Sequence, residues 1–167
     1  FLRGDQTYAE AGGGAWTFLN RQAVSGAASI DFDSAQGVDN STYEIYMFTW
    51  QEMTVSSDGN LNIRLSDDNG SSFYTSGYAY ANMHHDEDDA HTNDGSSSEN
   101  TMYIHQGNFG SSTYSQGILY WYTTPSTVNT NCNIMAHSFY TDLTTDTMIS
   151  TASAGRTSAP DSGGYDG

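Results

Sequence analysis

Residues 60–66 read "NLNIRLS", and the order of apolar and polar residues in this stretch decides the fold class. Leu61, Ile63 and Leu65 alternate with Asn62 and Arg64, which is the two-residue period of a β-strand with one buried face. An amphipathic helix would instead repeat its apolar residues at spacings of three and four. The stretch therefore predicts a strand whose odd-numbered side chains point into a core.

Turn signals lie on both sides of this strand. "SSDGN" (56–60) contains Asp58-Gly59 and "SDDNGSS" (66–72) contains Asn69-Gly70, dipeptides that tolerate the positive φ angles of hairpin turns. Similar alternation returns along the chain and predicts further strands at 15–22, 27–32, 42–53, 72–83, 100–106, 116–123, 131–142 and 147–152. We predict an all-β fold, a single jelly-roll-like antiparallel β-sandwich.

The two ends differ in composition from the sandwich, which we assign to residues 15–153. Residues 1–14, "FLRGDQTYAEAGGG", form an N-terminal arm that ends in three glycines, and residues 154–167 form a Gly/Ser-rich C-terminal tail. Such segments fray unless something holds them, and a neighbouring copy can hold an arm by accepting it as an added strand. The chain begins at Phe1 with no signal-peptide pattern, so we expect a processed or trimmed mature chain.

Charge and composition restrict the class of partner. Only 4 basic residues oppose 20 acidic ones, so the net charge is −16, and phosphate backbones and anionic membranes should repel the chain. No apolar run approaches the roughly 20 residues that cross a bilayer. We expect no nucleic-acid partner and no membrane partner, and the Ser, Thr, Asn, Gly and Tyr content is typical of an extracellular or virion-surface protein.

Residues 83–91, "MHHDEDDAH", are the densest group of metal-ligating residue types. Two interpretations stay open: a solvated loop, or a divalent-cation site in which carboxylates bind calcium or histidines bind zinc or nickel. The spacing matches neither a zinc-protease motif nor a calcium-loop repeat. Residues 92–100 read as loop, and the turn at 66–72 adds two secondary candidates for an ion. The candidate ligands are His84, His85, Asp86, Glu87, Asp88, Asp89, His91, Asp67 and Asp68.

Two sequons make covalent glycans a further expectation. They start at Asn40 and Asn69, both in predicted loops. Cys132 is the only cysteine, which excludes an intrachain disulfide. The chain has no G-x-S-x-G elbow and no phosphate-binding glycine loop, so we predict no catalytic residue and no enzymatic activity.

Aromatic residues follow the strand period in two places. Tyr46, Phe48 and Trp50 share one face of their strand, and Tyr120 and Tyr122 lie on the face opposite Trp121. Exposed aromatic rows can stack on sugar rings. We favour the simpler interpretation, in which one face of each strand is core and the other is a contact between subunits.

Three runs of the sequence are similar to a known class of protein. They are "AWTFLNRQAVSGAASIDF" (15–32), "STYEIYMFTW" (41–50) and "SSDGNLNIRLSDDNGSSFYTSGYAY" (56–80). They resemble structural proteins of environmental bacteriophages, of the tail-fibre or virion type. The resemblance covers mainly residues 15–80, where most of the shared positions are core and turn residues. It implies an all-β appendage or capsid-associated protein and carries over no catalytic residue.

These observations predict a structural, self-assembling subunit of an extracellular or viral filament that polymerises through its N-terminal arm. The backbone of the arm would form hydrogen bonds with the sheet edge of the next copy, and apolar side chains of the arm would pack against that copy. The alternative is a carbohydrate- or receptor-binding β-sandwich module, with or without a dependence on calcium. The predicted assembly residues are Phe1, Leu2, Tyr8 and Trp16.

Overall fold

The computed structural model describes residues 16–39, 42–57, 59–87, 90–109, 113–123, 132–142 and 147–157. Within these ranges the chain forms β-strands and one short 3₁₀ helix at Ser34–Gln36. The strands are β1 (Ile45–Met53), β2 (Gly59–Ile63), β3 (Tyr78–Asp86), β4 (His91–Glu99), β5 (Met102–Phe109), β6 (Thr113–Tyr122), β7 (Cys132–Asp142) and β8 (Thr147–Thr157).

The strands form two antiparallel sheets. One is six-stranded in the order β1-β6-β7-β8-β3-β4, and the other is a two-stranded ribbon of β2 and β5. The ribbon covers one face of the large sheet, where β5 packs on β3, β7 and β8. The predicted all-β class and antiparallel pairing are confirmed. The division into six and two strands differs from the two four-stranded sheets of a regular jelly roll, so that detail of the prediction is not confirmed.

The core lies between the ribbon and the large sheet, and it is built from alternate residues of each strand. Leu61 and Ile63 are half-buried and Leu65 is fully buried, whereas Asn62 and Arg64 are exposed, as the alternation predicts. On the large sheet the buried side chains include aromatic residues whose rings pack edge to face or with tilted planes. The buried apolar residues are Val38, Tyr46, Leu65, Tyr78, Tyr80, Met102, Ile104, Leu119, Trp121, Cys132, Ile134, Ala136 and Tyr140.

Two glycines let bulky side chains reach the large sheet. A Cβ atom at Gly155 of β8 would overlap the Met102 side chain of β5, so the glycine gives Met102 its place between the layers. A Cβ atom at Gly117 would overlap the Trp50 ring, whose Nε1 donates to Oγ of Ser115 at 3.0 Å. Close packing, rather than a turn, therefore requires glycine at these two positions.

Some strand boundaries differ from those predicted. Residues 92–100 read as loop, but His91–Glu99 forms the edge strand β4, whose Ser, Asn and Gly residues pair along β3. β8 continues to Thr157, beyond the predicted domain boundary at 153, because it pairs along its length with β3 and β7. The predicted strands at 15–22 and 27–32 are wrong for residues 16–32, which form an irregular segment in which Gln22 Nε2 donates to the Asp31 carbonyl at 2.8 Å.

The two turn dipeptides do not close hairpins between neighbouring strands. β1 and β2, which flank the Asp58-Gly59 position, belong to different sheets, and Asn69-Gly70 lies in the connection between β2 and β3. Asn69 and Gly70 do adopt positive φ angles of 57° and 79°. The dipeptide therefore specifies a tight turn but not which strands it joins. Among the described residues, no helix is long and apolar enough to cross a membrane.

Candidate functional site

The histidine-rich segment at 84–91 spans the end of β3, a turn and the start of β4. Because side chains alternate along a strand, His84 faces the ribbon and is half-buried, whereas His85 lies exposed on the opposite face. His85 pairs with His91 across the hairpin, and the two ring centroids lie 5.4 Å apart. The strand period thus divides the histidines between the two faces of the sheet.

The described carboxylates of this hairpin make backbone hydrogen bonds. Asp86 Oδ1 accepts from the backbone N–H of Ala90 at 2.8 Å and closes the turn, and Glu87 Oε2 accepts from the N–H of Met148 at 3.4 Å. Asp88 and Asp89 lie outside the described residues. Within the described part of the chain, no three His, Cys, Asp or Glu side chains converge as a metal site would require. A cation at this hairpin stays a prediction.

The secondary ion candidates, Asp67 and Asp68, hold their own loop together. Asp68 Oδ1 accepts from the Ser72 N–H at 2.7 Å, and Asp67 Oδ2 accepts from the Tyr74 hydroxyl at 2.5 Å. Hydrogen bonds from the hydroxyl and backbone of Ser72, and then from Ser66, lower the pKa of Asp68. Both carboxylates therefore stabilise the loop through hydrogen bonds. An ion bound at this loop stays a prediction.

Asn69, one of the two predicted glycosylation sites, is exposed in the same loop. Its Oδ1 accepts from the N–H of Ser34 at 2.8 Å, which ties the loop to the start of the 3₁₀ helix. Asn40, the other site, lies outside the described residues. Glycosylation at either position stays a prediction.

A polar cluster between the two layers joins three strands. Nδ1 of His84 and Nδ1 of His105 each lie 3.0 Å from Oγ1 of Thr151. The hydroxyl has one proton, so it can donate to only one of the two rings, and the other ring must donate to it. The buried His105 ring also packs on Tyr140, with centroids 4.5 Å apart. This cluster couples the tautomers of the two histidines and fastens β5 to β3 and β8.

The half-buried position of His84 predicts a pH dependence of stability. Desolvation lowers the pKa of His84 below its ordinary value, and the charge of Asp94 opposes this effect. The unfolded chain therefore binds more protons, so the free energy of unfolding should fall as the pH drops through 6.5 toward the folded pKa. The slope from one such group is at most about 1.4 kcal/mol per pH unit.

Urea unfolding of His84→Gln between pH 5 and pH 8 measures this contribution. We expect a shallower fall of stability with decreasing pH than in the unaltered chain. His85→Gln, at the exposed neighbouring position, should leave the slope unchanged. Equal slopes for His84→Gln and the unaltered chain would contradict the assignment.

The single cysteine is not a reactive group. Cys132 is fully buried, and desolvation raises the pKa of its thiol to about 11. The hydroxyl of Thr157 lies 3.6 Å from its sulfur. Because the thiolate is the nucleophilic form, Cys132 stays protonated and inert at neutral pH.

An unusual surface is the outer face of the six-stranded sheet, defined as the side chains that point away from the ribbon. Met47, Met135 and Phe139 expose 41%, 45% and 44% of their surface on this face. Cross-strand pairing places Met47 beside Tyr120 and Tyr120 beside Met135, so the apolar side chains are contiguous. The larger apolar residues of the outer face are Ile45, Met47, Met83, Tyr114, Ile118, Tyr120, Tyr122, Met135, Phe139 and Met148.

The outer face also differs in charge from the rest of the chain. The chain has 20 acidic residues, yet in the regular, paired parts of the described strands no outward position is Asp or Glu. Glu52, at the bulge of β1, borders the face beside Tyr114 and Gln116. His137 and Arg156 lie on the face itself. A surface without carboxylates on a chain of net charge −16 is a surface suited to contact with protein.

Of the predicted assembly residues, only Trp16 lies in the described part of the chain; Phe1, Leu2 and Tyr8 lie outside it. The Trp16 ring is 52% exposed and its centroid lies 6.2 Å from that of Tyr120. Tyr120 belongs to the outer face. The first described residue after the arm therefore lies against that face.

The outer face as a unit was not predicted from the sequence. The predicted division of aromatic residues is confirmed, because Tyr46 and Trp121 are buried while Tyr120 and Tyr122 point outward. The sequence signal of this face is the lack of Asp and Glu at the outward positions of the paired strands. The face ends at the edge strand β4, and β4 was not predicted from the sequence. Comparison with family models, curated proteins and solved structures finds no match to this chain.

Proposed function

We propose that this chain is a structural, self-assembling subunit of an extracellular or viral filament or appendage, and that it polymerises through its N-terminal arm. The observation that carries the proposal is the apolar outer face without carboxylates. Soluble monomers rarely expose contiguous apolar patches of more than a few hundred Å². A face of this breadth is most simply explained as one that other copies cover in the working state.

The arm provides a means of linking copies. Trp16 contacts the outer face, and the residues before it include Phe1, Leu2 and Tyr8 as apolar anchors and three glycines at 12–14 that permit a sharp change of direction. β1 and β4 are the edge strands of the large sheet, and an edge strand presents unpaired backbone groups to an added strand. A head-to-tail contact of this kind extends into a filament unless it closes into a ring.

Net charge supports a dispersed filament rather than an amorphous aggregate. At −16 per chain, finished filaments should repel each other in solution at low and moderate salt. The resemblance to bacteriophage virion proteins points in the same direction, and with the composition it favours an extracellular or virion-surface location. Contacts between copies must then use a surface that avoids bringing carboxylates together, which is the property of the outer face.

Removing residues 1–14 should abolish filaments and leave the fold intact. The described strands begin at Ile45, so circular dichroism should report the same β-sheet content. Sedimentation velocity of the full chain should show large assemblies, and the shortened chain should show only small species. Removing residues 158–167, a polar segment of similar length, is the matched control and should leave the assemblies unchanged. Assemblies of equal size without the arm would contradict the role of the arm.

The same experiment in the presence of a chelator tests the cation prediction. Loss of assemblies with EDTA and their return with calcium would assign a structural cation to the protein, with the 84–91 hairpin as the first region to examine. Persistence of the assemblies with EDTA would exclude an essential divalent cation from the contact between copies.

A carbohydrate- or receptor-binding module is the second candidate, favoured by the aromatic rings of the outer face. Trp16 and Tyr120 lie side by side with their planes inclined at 50°, and Tyr122 follows on the same strand. Exposed aromatic rings of this kind can stack on sugar rings. Saturable binding on a glycan array, lost in Tyr120→Ala and retained by a monomeric chain, would favour this function over assembly.

A further inference from the structure

We propose that the outer face pairs with the outer face of a second copy about a two-fold axis parallel to the strands. The inference rests on the proposed self-assembly and names the second contact that accompanies the arm. Copies of a chain with 20 acidic residues repel each other wherever their carboxylates face one another. The outer face can meet itself without that repulsion.

The relief of the outer face is self-complementary. Its β1-β6-β7 half carries large side chains, among them Met47, Tyr120 and Met135, and we call this half the ridge. The β8-β3-β4 half carries mostly small ones beside Met83, Met148, His85, His91 and Arg156, and we call it the floor. The small floor residues are Ser150, Ala152, Ala154, Ala79, Ala81 and Gly95.

One symmetry operation fits the ridge to the floor. Rotation by a half turn about an axis parallel to the strands, between β7 and β8, places β1 of one copy over β4 of the other. Each ridge then lies over the partner's floor, and large side chains fill the space above small ones at the ~10 Å spacing of stacked sheets. The other in-plane axis, perpendicular to the strands, would set ridge against ridge. The contact is isologous, so it forms a closed pair.

The polar groups at the corners of the face agree with the same axis. Glu52 borders the β1 corner of the face, next to Gln116. We call the height of a residue along the strand direction its level. The residues paired across the sheet at the level of Gln116 are Phe139, Ser150, His85 and His91, and His91 lies at the β4 corner. A half turn about an axis parallel to the strands keeps each residue at its level. It therefore brings Glu52 of each copy toward the two histidines of the other.

Cross-linking of the full chain tests the pairing. Met135 lies on β7, next to the proposed axis, and is exposed, so Met135→Cys should give a covalent dimer with a short bismaleimide linker. Asn62→Cys, on the exposed side of β2, is the matched control and should give little dimer. Cys132 is buried and does not compete. Adding Ala154→Arg to Met135→Cys should lower the dimer yield by about tenfold or more, since it places a large charged group on the floor.

Charge reversal tests the axis. In the Met135→Cys background, Glu52→Arg should lower the dimer yield, and adding His91→Glu should restore it. Normal folding of each variant is checked by circular dichroism. A dimer yield that Ala154→Arg and Glu52→Arg leave unchanged would overturn the proposal.

The outcomes separate this inference from the proposed function. Filaments without the Met135→Cys cross-link would refute the face pairing and leave arm-mediated assembly standing. A cross-linked dimer without filaments would refute the filament and leave the face pairing standing. A cross-link that forms only after residues 1–14 are removed would show that the chain's own arm covers the face, which would overturn the pairing.

Discussion

Replacing Trp121 with alanine is expected to lower the free energy of unfolding by about 3–5 kcal/mol, as large aromatic-to-alanine changes in cores do. Trp121 is 2% exposed, and its ring lies 5.5 Å from that of Tyr46 on the neighbouring strand β1. Loss of the indole removes contacts on β6 and on β1 together. β6 is hydrogen-bonded on both sides, to β1 and to β7, so the surroundings can collapse only partly into the space. Urea unfolding at concentrations too low for assembly measures the effect.

Tyr120→Ala is the matched control for this prediction. Tyr120 adjoins Trp121 in the sequence but points to the outer face, where it contacts Trp16. We expect a loss well below that of Trp121→Ala, because the ring is only half-buried in the single chain. A larger loss for Tyr120→Ala than for Trp121→Ala would mean that the two faces of β6 are assigned the wrong way round.

Replacing Gly155 with valine should separate the ribbon from the large sheet. Any side chain at this position overlaps Met102, which is fully buried between the layers. Overpacking of a core usually lowers stability by about 1–3 kcal/mol, and sometimes by more. Ala154→Val, at the next position but on the exposed outer face, controls for the change of strand propensity and should have little effect.

A double variant identifies the cause of the Gly155→Val effect. Met102→Ala alone should also destabilise the protein, because it leaves a cavity. If the valine and Met102 compete for the same space, the combined variant should lose less stability than the sum of the two single losses. Additive losses in urea unfolding would contradict the contact between Met102 and Gly155.

The sequence predicted the inward side chains better than the pairing of the strands. Alternation in 60–66 correctly assigned Leu65 to the core, and alternation in 45–50 put Tyr46 on one face of its strand, which is the buried face, because burial of one face is a local property of a strand. Pairing depends on distant segments. β1 pairs with β6 and β2 with β5, so the intervening Asp58-Gly59 dipeptide joins strands of different sheets.

β4 was missed because its residues contribute little to the core. "HTNDGSSSE" (91–99) has low β-propensity and no apolar alternation. It becomes a strand because it continues the β3 hairpin and gains backbone hydrogen bonds at the sheet edge. The short apolar runs at 15–22 and 27–32 show the converse, since within 16–32 they remain irregular although their alternation favours a strand.

The candidate metal residues illustrate the same limit. His84 and His85 are adjacent in sequence, and their density suggested a common site. Once they lie in a strand, the two-residue period sends one toward Thr151 in the core and the other to the outer face beside His91. Adjacent residues in a loop can bind the same ion, but adjacent residues in a strand point to opposite faces of the sheet.

Negative-stain electron microscopy of the purified full-length chain is the most direct test of assembly. The proposed function predicts continuous filaments of uniform width at neutral pH without any added partner. Monodisperse particles over a wide range of protein and salt concentrations would contradict it.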